Sequence, residues 1–521
     1  MLLLGIGLAI YRDYGVFWDE GDAINIGSMN GHYIDNILAN KPAQLTFDDR
    51  YHGPIFEVML WYLTRDLPNP EMVYSRHLVT FLVFTIGVIA LYILAYRLFR
   101  KSWWSLLTVI LLVLSPRIFA DSFYNSKDIP FLAFFTIAIL LLLVSLDVVC
   151  SERNWIIKAG TVVLSAIAGA IATDIRLPGV VLIPLTCSLL VLVALLNSKR
   201  WKDIGVLIPI YLLFAFGFVI IFWPALWHNL FSEFIKGFVD QSHFPWPGSV
   251  LFGGQYIKAV DLPWQYIPTW ISISTPLLQL GGFIPGIFSL ALVSERRSRN
   301  NSLKQFRLYL NRHAHEILYW LALIAWLVLP LAAILILHSV VYDGWRQMFF
   351  IYPSILLIAV FGLKTAYENL SNLLGKPIWF NVLAGAILIA GLLEPLIFIV
   401  QYHPNENVYF NFIAGDPAIL RQKFDQDYWG LSYKQGIDFI LANDPSKKIN
   451  IAIADLPGNE YIKYMLAPEQ ASRLNIIPLT NLTNGDYFIT TYRFHPDDYS
   501  FGEDYYSLSI RGTIILTVYK K

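Results

Sequence analysis

Charge is what this sequence has least of. Only 15% of its 521 residues are Asp, Glu, Lys or Arg, against about a quarter in an ordinary soluble domain. With 56% hydrophobic residues and a mean hydropathy of +0.53, the chain lacks the polar surface a soluble fold of this length needs. It also has no surplus of either sign, with 38 Lys+Arg balancing 38 Asp+Glu. The missing basic excess argues against a nucleic-acid partner. Cysteine is nearly absent: Cys150 and Cys187 both sit in or beside apolar runs and give no disulfide or metal pattern. There is no internal repeat, no low-complexity tract and no cleavable signal pattern. The first apolar stretch, Leu2 to Tyr11, has no basic residue before it. It is shorter than the roughly 20 residues a span requires, so the true start is expected to lie slightly upstream of Met1.

What is present is a series of long apolar runs. Eleven candidate spans lie near 2–14, 77–98, 103–120, 129–149, 156–173, 179–197, 204–223, 270–293, 317–338, 348–366 and 378–400. Pro and Gly interrupt several, which membrane helices tolerate. Basic residues follow the even-numbered spans, among them Arg97, Arg100, Lys101, Lys199, Arg200, Arg296, Arg297, Lys364 and Lys376. Short basic loops stay inside, so the N-terminus is expected inside and the C-terminus outside. The 15% of aromatics, including 16 Trp, fit interfacial belts. After about residue 400 the composition turns polar. Residues 448–455, 486–493 and 512–519 alternate as strands and 433–443 as an amphipathic helix, predicting a small α/β domain outside the membrane.

The outward loops carry the polar chemistry. The first, 12–76, is acidic and opens with Phe17-Trp18-Asp19-Glu20-Gly21. A carboxylate at an apolar boundary can be tuned as a base; an acidic pair can equally cap the following helix. Position alone leaves both readings open. The same loop holds Tyr51-His52-Gly53-Pro54. The second reads Arg117-Ile118-Phe119-Ala120-Asp121 and ends Ser126-Lys127-Asp128. Asp174 and Arg176 interrupt the apolar stretch between spans five and six, as a local ion pair or as a pocket wall. The fifth reads Tyr342-Asp343-Gly344-Trp345-Arg346-Gln347. The fourth, 224–268, is rich in Trp, Pro and Gly; Trp246 and Trp264 there could stack on a sugar ring or anchor the interface. His228 and His243 could join His52 at a metal, but no ligand spacing supports it.

Taken together, the Asp19-Glu20 pair, the His52-Gly53-Pro54 element and the basic residue before a late span resemble the protein O-mannosyltransferase superfamily. These are membrane glycosyltransferases of the GT-C fold, glycosyltransferase family 39 and its bacterial relatives, including the transferases that place aminoarabinose on lipid A. The resemblance covers most of the chain. One departure is plain: the family's His-Pro-Pro stands here as His52-Gly53-Pro54.

The resemblance implies a polytopic α-helical, GT-C-like domain over 1–400 and an extracytoplasmic α/β domain over 401–521. It implies a polyprenyl-phosphate-linked sugar as donor and a hydroxyl of a lipid, glycan or protein as acceptor. The multi-pass protein is then expected in a bacterial inner membrane, its site facing out. Asp19 is the expected base for a one-step, inverting transfer, with Glu20 orienting acceptor or sugar. Arg346 is the leading candidate for the leaving phosphate, since guanidinium grips phosphate through two parallel hydrogen bonds. Arg117, Lys127 and Arg176 stand behind it; snorkelling at the interface is the alternative for each. His52, Asp121, Asp128, Trp246 and Trp264 are the expected substrate contacts. No cofactor is implied, and a divalent metal stays open with its ligands unknown. A secondary transporter or flippase is the competing class. Transporters usually carry repeats and midplane charges, whereas here the charges gather at the outer ends of spans.

Overall fold

The computed structural model describes residues 1–242, 246–298, 314–375, 377–454 and 458–521. Leu2–Ile10 forms α1, Glu20–Leu38 α2, Ile55–Thr64 α3 and Glu71–Phe99 α4. There follow α5 (Ser102–Val113), α6 (Pro116–Tyr124), α7 (Asp128–Cys150), α8 (Trp155–Ile175), α9 (Leu182–Leu196), α10 (Trp201–Phe222) and α11 (Leu230–Ser242). A short hairpin, β1 (Ser249–Phe252) and β2 (Gln255–Lys258), precedes α12 (Tyr266–Ser274), α13 (Leu277–Ser298), α14 (Ala314–Leu337), α15 (Tyr352–Leu373) and α16 (Ile378–Tyr402).

Among the described residues, eight helices are long and apolar enough to cross a bilayer, or nine if the bent pair α5–α6 counts as one. The expected eleven are therefore not all full spans. Helix α1 has only nine residues. The third expected span breaks at Ser115 and bends by 69°, because Pro116 has no N–H to continue the ladder and starts a new helix at its first position. The eighth breaks into α12 and α13 at Thr275-Pro276 for the same reason.

Helices α7 and α15 are the bundle's axis, each about four-fifths buried over its apolar window. Helix α7 packs on α4 and α8, and α15 on α13. That last contact depends on small residues: a Cβ at Gly362 would lie 2.1 Å from the Gly282 carbonyl oxygen and 2.4 Å from the Gly286 nitrogen. Small residues let helix backbones approach closely where lipid provides no hydrophobic driving force.

Beyond α16 the chain builds a five-stranded sheet in the order β4-β3-β5-β7-β6. The strands are β3 (Ile449–Ile453), β4 (Leu474–Ile477), β5 (Tyr487–Thr490), β6 (Glu503–Ile510) and β7 (Thr513–Lys520), with helix α17 (Tyr433–Asn443) covering one face. Three strands and α17 match the expected segments, although Asp455, the end of the first, lies outside the described residues. Strands β4 and β6 were not foreseen. In β3, β5 and β7 the alternation buries Ile451, Ile489, Leu516 and Val518 against Ile437 and Ile440 of α17. Val16 and Val73 join the same cluster, so the sheet domain is seated on the 12–76 segment.

Candidate active site

The site forms where four loops meet at one end of the bundle. At the α6–α7 corner, the Asn125 amide donates to Asp121 (2.7 Å) and Asp128 (2.9 Å), while its Oδ1 accepts the Asp128 N–H (2.8 Å). One side chain thus fixes both carboxylates and the start of α7. The opposite corner is built by Gly53. A Cβ there would lie 1.0 Å from the Asp174 carbonyl oxygen, so no other residue fits at this contact. The close approach lets the Ile55 N–H, at the start of α3, donate to Asp174 Oδ2 at 2.7 Å. Asp174 therefore caps a helix, where a carboxylate is favoured. The glycine in His52-Gly53-Pro54 is a packing requirement of this chain.

Arg346 is the hub. Its guanidinium lies 3.3 Å from Asp128, 3.2 Å from Asp343 and 3.8 Å from Asp19, and stacks over Trp429 at 4.5 Å. Only 2% of the side chain is exposed. A buried cation surrounded by carboxylates holds its neighbours in place, and the more open bases are Lys127 (19%) and Arg176 (21%). Lys127 Nζ is 3.9 Å from Asp19, and Arg176 is 2.6 Å from Asp128. Both line a cavity of about 440 Å³. Its polar end holds His52, Ser126 and Gln347; Val180, Val181, Pro184, Ile334 and Leu337 line the remainder with apolar surface from the spans.

Asp19 precedes α2 and keeps 23% of its side chain exposed. Burial would raise its pKa, but Lys127, Arg346, Arg493 and Arg176 outweigh burial and hold it below the ordinary carboxylate value. It is a charged carboxylate at neutral pH. Glu20 faces inward: Arg76 Nε donates to it at 2.5 Å and binds Glu57 with its other nitrogen at 2.8 Å. Ser126 completes this row by donating to Glu57 at 2.5 Å. Burial pushes Glu20 up to about 7 against the pull of Arg76. Burial, with Lys127 and Arg176 nearby, lowers His52 to about 3, leaving a neutral imidazole on the cavity wall.

The remaining candidates separate. Asp121 is fully buried and accepts from Asn125 and from Trp429 Nε1 at 3.2 Å. Arg117 points away from the cavity, donating to the Tyr409 carbonyl at 2.9 Å with its guanidinium over Phe410 and Trp270. Trp246 stacks on the cavity residue Tyr342 at 4.3 Å. Trp264 is 67% exposed on a separate, shallow surface beside Pro268 and Phe424. Among the described residues no group of three or more His, Cys, Asp or Glu is placed to hold a metal. His228 meets Tyr33 at 2.8 Å, and His243 lies outside the described residues.

Four participants were absent from the sequence reading of the site: Asp343, Glu57, Arg76 and Arg493. Asp343 stood in a quoted motif, one turn before Arg346, and that spacing was the available signal. Nothing local marks Arg493, which lies 150 residues beyond its partner Asp343.

No protein-family model matches the chain, and no curated protein matches it either. Solved structures do. ArnT from Cupriavidus metallidurans bound to undecaprenyl phosphate is similar at 13% identity and TM-score 0.45, with 99% of this chain and 97% of that chain covered. The apo state of the same protein gives 14% identity, TM-score 0.46 and the same coverage. The archaeal oligosaccharyltransferase AglB from Archaeoglobus fulgidus, in complex with an inhibitory peptide and a dolichol-phosphate, gives 10% identity and TM-score 0.49, with 94% and 69% covered. These likenesses concern the overall course of the chain and assign no role to any residue.

Proposed function

We propose that this protein is a membrane glycosyltransferase that moves a sugar from a polyprenyl-phosphate-linked donor to an acceptor hydroxyl, with inversion. The observation that carries the reading is the two-ended cavity. Its cationic end, Lys127 and Arg176, stands beside a charged carboxylate, and its apolar walls continue among the spans. A phosphate esterified to an isoprenoid needs both ends at once. A water-soluble nucleotide sugar has no use for the apolar one.

In this reading the donor phosphate draws Lys127 from its loose 3.9 Å contact with Asp19. Lys127 and Arg176 then hold the phosphate, while buried Arg346 fixes Asp19 and Asp128 behind them. The acceptor oxygen attacks the anomeric carbon as the bond to phosphate breaks. Asp19 takes the hydroxyl proton, and polyprenyl phosphate leaves with the bonding electron pair. A single displacement needs no covalent sugar–enzyme bond, consistent with Asp19 beside the cavity residue Lys127 and with Glu20 and Glu57 both engaged with Arg76. Short loops rich in Lys and Arg, among them 97–101 and 199–202, support an outward-facing site in an inner membrane. Purified protein incubated with polyprenyl-phosphate sugars should release polyprenyl phosphate and glycosylate an envelope acceptor. Failure to turn over any such donor, while binding polyprenyl phosphate no better than an unrelated membrane protein does, would sink the proposal.

A further inference from the structure

The sheet domain reaches the site through one side chain. Arg493 follows β5 and is 7% exposed. Its Nη2 donates to Asp343 Oδ1 at 2.8 Å, and the other Asp343 oxygen receives Arg346 at 3.2 Å. Its Nη1 donates to the Tyr428 carbonyl at 2.6 Å. The guanidinium plane lies 4.4 Å over Trp18, the residue before Asp19, and 5.1 Å from Phe494. Asp343 adopts a positive φ of 56°, followed by Gly344 at 73°, a tight turn that offers one carboxylate oxygen to each arginine. Burying a second arginine beside Arg346 costs several kcal/mol unless fully compensated. Tyr433, Ile437 and their apolar neighbours already dock the sheet domain.

We propose that Arg493 is a positioning residue of the transfer site: it pins Asp343, which fixes the fork of Arg346, and it sets the charge environment of Asp19 from the sheet-domain side. The word transfer here rests on the function proposed above. Asp19 is faced by Lys127 from the α6–α7 corner, Arg176 from the α8–α9 break, Arg346 from the start of α15 and Arg493 from the sheet domain. Glu20 and Asp22 follow it on α2 itself, and His52 and Tyr342 are the other titratable groups that feel its charge. Arg493 is the only one of these four cations carried by the extramembrane domain. Losing that domain's grip should therefore be felt at Asp19.

The test needs no sugar donor. With Cys150 and Cys187 replaced by Ser, Asp19→Cys puts a thiol at the position of the base, and its alkylation rate against pH gives its ionisation midpoint. Adding Arg493→Gln should move that midpoint about half a pH unit upward, the effect of removing one nearby positive charge. Arg493→Lys should hold it near the parent value. Should Arg493→Gln not fold, Arg493→Met fills the space over Trp18 and should give the same upward move. A folded Gln or Met variant with the parental midpoint overturns the proposal, as does one with a lowered melting temperature and no midpoint change. If the midpoint responds as expected while wild-type protein transfers no sugar, the glycosyltransferase reading fails and the role of Arg493 stands. If sugar transfer is robust and the midpoint does not move, the reverse holds.

Discussion

Removing Arg176 tests how this site binds the donor phosphate. The side chain lines the cavity, is 21% exposed, and has its ion pair to Asp128 at 2.6 Å. In Arg176→Ala, Asp128 still holds Arg346 at 3.3 Å and Asn125 at 2.9 Å. Both of those contacts fall on Oδ2, so the buried Oδ1 loses its partner and the fold should lose about 1–3 kcal/mol. A charge-assisted contact to phosphate is worth roughly 1.5–3 kcal/mol, and each 1.4 kcal/mol is about tenfold in affinity. Arg176 surrenders part of its bond to Asp128 when it turns to phosphate, so the lower half of that range applies. The expected result is a donor KM raised roughly 10- to 40-fold, with the acceptor KM unchanged. Inhibition by free polyprenyl phosphate should weaken by the same factor. A variant with wild-type donor KM and wild-type inhibition would falsify the phosphate role of Arg176 and, with it, the orientation of the donor in the cavity.

Other outcomes follow from the same geometry. Arg346→Ala leaves Asp128, Asp343 and Asp19 facing one another without their shared cation. It should cost about 3–5 kcal/mol of stability, seen as a lower melting temperature, and should weaken donor use more than acceptor use. Gly53→Ala drives a methyl into the Asp174 carbonyl and should cost at least about 1–3 kcal/mol; a melting temperature equal to wild type would refute the close approach. His403 is lodged between Asp13 (2.9 Å) and Glu406 (2.7 Å). Burial lowers its pKa, but the two carboxylates outweigh burial and raise it. Its contribution is therefore complete below the ordinary histidine pKa and fades as pH rises through the raised folded value. Stability of the wild type should fall over that interval more than stability of His403→Gln does; parallel curves would count against it.

The long apolar runs made eight spans legible, because twenty apolar residues with few charges have few other uses. Two further runs misled because composition does not record a break: 103–120 carries a single charge, Arg117, yet the chain turns by 69° at Pro116. Strand β6 was invisible for the opposite reason. It lies at the sheet edge and starts Glu503-Asp504, and edge strands carry charge that blurs the strand pattern. At the site, Asp19, Lys127, Arg176 and Arg346 could be named because charge close to the ends of spans is costly. Their ranking could not. Arg346 is buried by Trp429, by Asp19 and Asp128 from distant loops and by the nearby Asp343, while Arg176 faces the cavity. That difference depends on contacts spanning 83 to more than 300 residues, between Arg346 and Trp429 or Asp19, which no local spacing encodes. Nothing in the sequence marks Arg76, whose partners Glu20 and Glu57 lie 56 and 19 residues away.

Turnover of Asp19→Asn tests the central claim most directly. The amide keeps the shape of the side chain and removes the proton acceptor, and a general base contributes roughly 10²- to 10⁴-fold. Single-turnover transfer from a polyprenyl-phosphate sugar should fall by that factor, with the protein folded, membrane-inserted and still inhibited by polyprenyl phosphate. Transfer at a rate near wild type would contradict the assignment of Asp19 as the base.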